Sequence, residues 1–162
     1  MTENSLPLTG GCQCGAIRYA IHGQPMNPLI CHCRMCQKAF GAIFVAFFTA
    51  READLEWTRG RPALYRSSEA AERGFCSQCG TPLTFHAIGS EEIDFALGSL
   101  DRPAELKPQK QYFVDTRMPW FDELPHLPVA GSTASAEEIA RRKPYQHPDH
   151  DTAEWPGAGQ AS

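Results

Sequence analysis

The residues of this sequence that are best suited to chemistry are its seven cysteines, which lie in three compact clusters. The clusters are Cys12 with Cys14, then Cys31 with Cys33 and Cys36, and finally Cys76 with Cys79. Thiolate sulfur is a preferred zinc ligand, and closely spaced cysteines are a usual source of its ligands. An odd number of cysteines cannot all be paired in disulfides. We therefore interpret the clusters as metal sites.

The four cysteines outside the central cluster can complete one tetrahedral site. Cys76 and Cys79 have the spacing of a zinc-binding turn, and Gly80 after them can adopt the positive φ that such a turn needs. If this pair combines with Cys12 and Cys14, four thiolates close one site and three cysteines remain. Three protein ligands with one open position are typical of catalytic zinc. We prefer this division because it uses every cysteine in contiguous groups.

Spacing alone leaves other assignments open. Cys33 and Cys36 could instead complete a zinc ribbon with the downstream pair, leaving Cys12, Cys14 and Cys31 without an evident geometry. A single structural zinc with three spare cysteines and an iron–sulfur cluster are further alternatives. A redox-active dithiol in the downstream pair is disfavoured, because no βαβ pattern surrounds it.

The elements that must position these cysteines are predicted to be mainly strands. Residues 17–21 alternate in polarity and predict a strand after the first pair. Residues 22–28 contain one glycine and two prolines, and we expect a loop that delivers the central cluster. Residues 34–40 have room for one or two helical turns, ended by Gly41. Residues 42–49 are the most apolar stretch and predict a central strand that is buried on both faces.

Further short strands are predicted at intervals of about ten residues, which favours an antiparallel all-β architecture over βαβ units. They cover residues 55–57, 63–66, 71–75, 83–86, 93–97 and 111–114. Near the end, Ser135 and Glu138 form a capping-box pattern that predicts a helix through Arg142. Residues 144–162 are expected to be weakly structured unless they pack on a partner chain.

Composition and charge favour one soluble domain. The 162 residues carry a formal net charge of −4, and the basic residues are scattered, so no nucleic-acid or membrane partner is predicted. The first ten residues do not resemble a secretory signal, and the longest apolar run, residues 39–50, is too short to span a bilayer. We expect a cytoplasmic protein, a compartment in which clustered cysteines bind metal or catalyse reactions more often than they form disulfides.

Five short motifs of the sequence occur together, and in the same order, in one known family. They are Gly11-Cys12-Gln13-Cys14-Gly15, Cys31-His32-Cys33-Arg34-Met35-Cys36, Arg73-Gly74-Phe75-Cys76-Ser77-Gln78-Cys79-Gly80, Gly98-Ser99-Leu100-Asp101 and Pro119-Trp120. In these motifs, which span residues 9–125, the sequence resembles the glutathione-dependent formaldehyde-activating enzyme family, which also contains centromere protein V.

The resemblance implies a fold, two zinc sites and a reaction. The fold is mainly β, a zinc-anchored antiparallel β-tent with one or two short helices over residues 1–130, followed by a short helix and weakly structured tail over residues 131–162. The implied structural zinc ligands are Cys12, Cys14, Cys76 and Cys79, and the implied catalytic ones are Cys31, Cys33 and Cys36. The reaction is that of a carbon–sulfur lyase, which forms or cleaves the S-hydroxymethyl adduct of a thiol such as glutathione with formaldehyde. Its partners are a small-molecule thiol and an aldehyde, and no oligomeric state is predicted.

The sequence departs from the family pattern at two positions. Family members often have a small residue at the position of Phe40 and a histidine at the position of Gln111, so either position is a candidate for shaping the pocket or supplying a polar contact. We expect His32 to lie outside the ligand set, in contact with the ligands or facing solvent. The arginines near the clusters are candidate carboxylate partners, but we expect each of them to be a solvated surface residue: Arg18, Arg34 and Arg73. The alternative function is a non-enzymatic zinc-binding interaction or metal-storage module.

Overall fold

The structure is a computed structural model that describes residues 7–131, 134–142 and 144–154. The small sheet, in the order β1-β2-β5, contains β1 (Leu8–Gly11), β2 (Arg18–Ile21) and β5 (Leu55–Arg59). The large sheet contains β3 (Met26–Cys31), β4 (Val45–Arg51), β6 (Ala63–Ser68), β7 (Ala71–Phe75), β8 (Pro82–Ala87), β9 (Glu92–Ala96) and β10 (Lys110–Tyr112). Its strand order is β10-β3-β4-β9-β8-β7-β6.

The strand pairing is antiparallel throughout, except that the edge strand β10 runs parallel to β3. The described residues add two short helices, α1 (Arg34–Phe40) and α2 (Ala136–Arg141). This is the predicted β-tent fold, mainly β with two short helices. No helix in the described ranges combines the length and the apolar character needed to cross a bilayer.

The main core lies between the two sheets. Tyr19 and Ile21 from β2 meet Phe48 from β4 and Phe95 from β9, and none of these four side chains is exposed. The Tyr19 hydroxyl is hydrogen-bonded to Ser99 Oγ at 2.7 Å, so its polar atom is satisfied. Burying a large apolar side chain contributes roughly 1.5–3 kcal/mol. One face of the large sheet is therefore fixed against the small sheet.

The opposite face of the large sheet carries α1. Side chains alternate along a strand, so Phe47 points away from the core that contains Phe48. Phe47 joins Leu29 and Cys31 from β3 in a second buried cluster, and Phe40 of α1 stacks edge-on against it with ring centroids 5.4 Å apart. The prediction that this stretch forms a central strand buried on both faces is confirmed, because β4 lies between β3 and β9.

Helix α1 has the predicted bounds because both of its ends are capped. The Cys33 side chain accepts a hydrogen bond from the Cys36 amide at the N-terminus. Gly41 ends the helix in the left-handed conformation, with φ of 60°, which glycine adopts without strain. The predicted capping box of α2 is also confirmed: Glu138 N donates to Ser135 Oγ, and Ser135 N donates to the Glu138 carboxylate.

Strand β3 corrects the predicted loop over residues 22–28. The strand begins at Met26, and its register against β4 shifts between Met26 and Leu29, where Asn27 has a positive φ of 48°. A bulge of this kind accommodates Pro28, which has no N–H to donate. The prolines that indicated a loop therefore mark an irregular strand. The predicted strand over residues 111–114 ends early, at Tyr112.

The C-terminal segment lies against the small sheet of its own chain. Residues 144–154 contain neither helix nor strand, but His147 is buried and its amide donates to Gln13 O at 2.7 Å. Asp151 pairs with Arg18 at 2.7 Å. These residues therefore contact their own chain, and the weakly structured tail stays a prediction. Residues 155–162 lie outside the described part, and the boundary at residue 130 stays a prediction.

Candidate metal centres

The first and last cysteine pairs come together at one end of the two sheets. Cys12 and Cys14 follow β1, and Cys76 and Cys79 lie on the turn between β7 and β8. Their sulfur atoms all lie within 4.8 Å of one another, with Cys12 and Cys14 3.6 Å apart and Cys14 and Cys76 3.9 Å apart. Four sulfurs at 2.3 Å from a tetrahedral zinc are about 3.8 Å apart. The geometry of this four-cysteine cluster therefore fits zinc.

Tight turns hold these sulfurs in place. Cys12 N donates to Ile17 O, and Ile17 N donates back to the Cys12 sulfur at 3.3 Å. On the other turn, Cys76 N donates to Thr81 O and Gly80 N donates to Cys76 O, with Gly80 at a φ of 76°. One turn belongs to the small sheet and the other to the large sheet. A metal bound here would tie the two sheets together.

Burial and hydrogen bonds shift the pKa values of the thiols in the four-cysteine cluster. Burial raises the pKa of Cys12 and of Cys14. Burial also acts to raise the pKa of Cys79, but hydrogen bonds from the Thr81 hydroxyl and backbone N–H groups outweigh it and lower that pKa to about 6. Four adjacent thiols cannot all ionise without a compensating cation, and a divalent metal supplies that charge.

The central cysteines form a separate three-cysteine cluster. Cys31 ends β3, Cys33 caps α1, and Cys36 lies in the first turn of the helix, with their sulfurs also within 4.8 Å of one another. The structure thus brings the seven cysteines together in the preferred division and not in the ribbon alternative. The hydrogen bond with the Cys36 thiol lowers the pKa of Cys31, and the same contact, together with burial, raises the pKa of Cys36.

A buried arginine lies beside the three-cysteine cluster. Arg73 of β7 is 7% exposed, and its Nη2 lies 3.5 Å from the Cys36 sulfur, with the guanidinium over the Phe85 ring. The expectation of a solvated surface residue is wrong for Arg73. It is also wrong for Arg18, which is buried in a salt bridge with Asp101. Both arginines lie on strands with their side chains facing buried surfaces, whereas Arg34 on α1 is exposed.

Comparison with known proteins places the chain in a family. The model of the glutathione-dependent formaldehyde-activating enzyme family matches residues 7–116. The chain belongs to this family. The predicted family is therefore confirmed, and four of the five motifs lie within the matched residues.

Two known proteins are similar to this member of the formaldehyde-activating enzyme family in sequence or in structure. A Schizosaccharomyces pombe protein named as an uncharacterized lyase is 33% identical over 76 residues, which is 47% of this chain and 55% of that protein. The chain thus matches about half the length of this curated relative. The crystal structure of a Rhodobacter sphaeroides protein is 26% identical, with a TM-score of 0.51, and the match covers 64% of this chain and 99% of that one.

A polar shell that the sequence did not predict surrounds the three-cysteine cluster of this family member. Gln37 of α1 is buried, and its side-chain amide donates to His32 O at 2.8 Å and to Thr116 O at 3.0 Å. His32 is fully buried, with Nε2 2.8 Å from Gln111 Oε1 and its ring edge-on to Phe121. Of the two positions expected for His32, the solvent-facing one is excluded, because the side chain is fully buried. The position of Gln37 could have indicated this role, because it is a polar residue directly after Cys36, on the buried side of the helix.

Phe40, the other position at which this chain departs from the formaldehyde-activating enzyme family, lies at a cavity. Phe40 lines a cleft of about 600 Å³ between α1 and strands β6 and β7. Arg73 lines the same cleft and also contacts Cys36. Arg73 therefore borders both the cleft and the three-cysteine cluster.

Proposed function

We propose that the chain is a zinc-dependent carbon–sulfur lyase that forms or cleaves the S-hydroxymethyl adduct of a thiol, such as glutathione, with formaldehyde. In this proposal one zinc ion is structural and a second is catalytic. The structural ligands are Cys12, Cys14, Cys76 and Cys79, and the catalytic ligands are Cys31, Cys33 and Cys36. The observation that carries the proposal is the separation of the cysteines into a complete set of four and a set of three, in a chain of this family. The lyase name of the yeast relative agrees with it.

The reaction requires an ionised thiol next to an electrophile. A zinc ion held by three thiolates would supply an open coordination position that stabilises a substrate thiolate near neutral pH. In adduct formation the sulfur bonds to the carbonyl carbon of formaldehyde, and the thiol proton ends on the carbonyl oxygen. Cleavage is the reverse, and neither direction changes an oxidation state.

The chain's own residues hold the three-cysteine cluster and control its charge. Arg73 places a positive charge beside Cys36 and so favours the thiolate form. Gln37 connects the loop that contains His32 to the segment at Thr116, which fixes the cysteines on either side of His32. The Phe121 ring packs on His32 and excludes water from that side.

The direct test is the rate of adduct formation with zinc-loaded protein, glutathione and formaldehyde, measured against the spontaneous reaction. We expect acceleration by the wild-type protein, with two zinc ions bound per chain. Cys31→Ser is expected to lose one zinc and the acceleration while it keeps its circular dichroism spectrum. Unchanged zinc stoichiometry in this variant would contradict the three-ligand site. A fully loaded protein that accelerates the reaction of no thiol with formaldehyde would favour the zinc-binding interaction or metal-storage module.

A further inference from the structure

The cleft between α1 and the edge of the large sheet is lined by positive side chains. Arg34 and Lys38 lie four residues apart and therefore on one face of α1. Facing them, Tyr65 of β6 is directly opposite Arg73 of β7, so these two side chains share a face of the sheet. We call the site defined by Arg34, Lys38, Tyr65 and Arg73 the cationic cleft.

The positive charge of the cationic cleft is local, and no acidic side chain lines the cleft. Three of its lining residues are cations, and none of the lining residues is Asp or Glu. The whole chain has a net charge of −4, so this concentration of positive charge does not follow from a basic composition. Within the described residues, neither Arg34 nor Lys38 forms a salt bridge.

Arg73 gives the cleft a buried charge with unused hydrogen-bonding capacity. It is 7% exposed, and its Nη1 is buried with no hydrogen-bond partner among the described residues. Among the described residues, its Nη2 donates a hydrogen bond to the Cys36 sulfur alone, at 3.5 Å. A buried charge without full compensation is costly, and such a guanidinium is suited to a planar, bidentate anion such as a carboxylate.

We infer that the cationic cleft binds a carboxylate of the thiol substrate and selects carboxylate-bearing thiols over uncharged ones. The inference rests on the proposed function, since it places the substrate sulfur at the three-cysteine cluster. Arg73 contacts both regions, so a ligand with its sulfur near Cys36 can reach the cleft with a carboxylate. The cleft volume of about 600 Å³ lies within the usual range for small-molecule sites. Arg34 and Lys38 are then specificity-determining residues.

Calorimetry with a ligand that cannot react tests the cleft without the reaction. The probes are S-methylglutathione, whose sulfur cannot ionise, and its dimethyl ester, which has lost both carboxylates. The zinc-loaded wild-type protein is expected to bind the acid at least about 10-fold more tightly than the ester, the usual scale for a charge-assisted hydrogen bond. Lys38→Gln is expected to remove most of this difference.

Arg66→Gln is the matched control for Lys38→Gln. Arg66 lies on β6 next to Tyr65, is exposed, pairs with Glu69 and does not line the cleft. Both substitutions remove one positive charge, but only the one at Lys38 should weaken binding of the acid. Equal binding of acid and ester by the wild-type protein, or equal weakening by the two substitutions, would overturn the inference. Arg34→Gln provides a second cleft variant if Lys38→Gln lowers the melting temperature.

Kinetics separate a failure of the cleft from a failure of the proposed function. With formaldehyde as the common substrate, Lys38→Gln should raise the ratio of KM for glutathione to KM for 2-mercaptoethanol about 10-fold. An unchanged ratio in an active protein overturns the cleft inference alone. If neither thiol reacts with any of these proteins, the proposed reaction is wrong, and the calorimetric comparison still decides whether the cleft binds carboxylates.

Discussion

The two cysteine clusters use the same ligand atom at similar spacing, but they differ in what they connect. In the four-cysteine cluster, Cys14 and Cys76 are 62 positions apart in the chain and belong to turns of different sheets. In the three-cysteine cluster, all sulfurs come from one segment, Cys31–Cys36. A metal in the first would close a long loop, whereas a metal in the second would constrain a strand end and a helix start. Connectivity, more than ligand type, is therefore the difference between the two clusters.

The two clusters also differ in the groups that surround their sulfur atoms. Around the four-cysteine cluster the sulfurs are held by turns of their own backbone, as at Cys12 and Cys76. Around the three-cysteine cluster two side chains join distant parts of the chain: Gln37, next to Cys36, donates to Thr116 O, and Arg73 of β7 contacts the Cys36 sulfur. Side chains can tune charge and select ligands without a change in the fold. The three-cysteine cluster is therefore the one that substitutions can alter while the protein stays folded.

The largest expected effect is the loss of the fold when the four-cysteine cluster is broken. Cys79→Ser removes one ligand of the proposed structural zinc, and structural zinc contributes on the order of 10 kcal/mol in small zinc domains. We expect no soluble expression, or a strongly lowered melting temperature by differential scanning calorimetry. Cys33→Ser, the same substitution in the other cluster, is the control and should stay folded. A Cys79→Ser protein as stable as Cys33→Ser would erase the distinction between the clusters.

Metal removal from the wild-type protein should show the same difference: loss of the four-cysteine metal unfolds the protein, and loss of the three-cysteine metal does not. Titration of the zinc-loaded chain with a chelator is expected to release zinc in two steps, measured by a colorimetric zinc indicator. The first step should empty the three-cysteine cluster with little change in the far-ultraviolet circular dichroism, because that metal closes no long loop. The second step should coincide with unfolding. Release of both ions in one step, together with unfolding, would contradict this order.

The features that sequence predicted well depend on neighbours in the chain. The end of α1 at Gly41 follows from glycine's tolerance of positive φ, and β4 follows from a run of apolar and aromatic residues. The grouping of the cysteines follows from the number of ligands that a tetrahedral metal takes. Each of these is fixed within a few residues or by simple counting.

The features that sequence missed depend on partners that are distant in the chain. Whether Pro28 breaks a strand depends on the register against β4, and a bulge absorbs it. The burial of Arg73 depends on Phe85 and Cys36, which lie on other elements. The contact of the tail with its own chain depends on the pair of Asp151 with Arg18. One sequence offers no signal for such pairings.

An intermediate effect is expected from Arg73, which belongs to the surroundings of only one cluster. Arg73→Met removes the charge beside Cys36, and loss of such a partner typically weakens metal binding about 10- to 100-fold. Arg73→Lys keeps the charge and should restore much of the affinity. Competition with a chromophoric chelator measures both. The four-cysteine cluster should keep its metal in both variants, and equal weakening of the two sites would show that Arg73 acts through the fold as a whole.

The smallest effect should come from the tail, whose described residues 144–154 contact the four-cysteine side of the molecule. Asp151 is half exposed and pairs with Arg18, which keeps its second partner, Asp101. Asp151→Asn should therefore cost about 1 kcal/mol or less, as measured by urea unfolding. Asp149→Asn, an equal change of charge at an exposed neighbour, is the control and should cost less still.

Because His147 of the same segment packs on Gly15, next to Cys14, Asp151→Asn should also speed chelation of the four-cysteine metal more than that of the three-cysteine metal. Faster release from the three-cysteine cluster instead would mean that the tail supports the opposite face of the large sheet, against the contacts it makes.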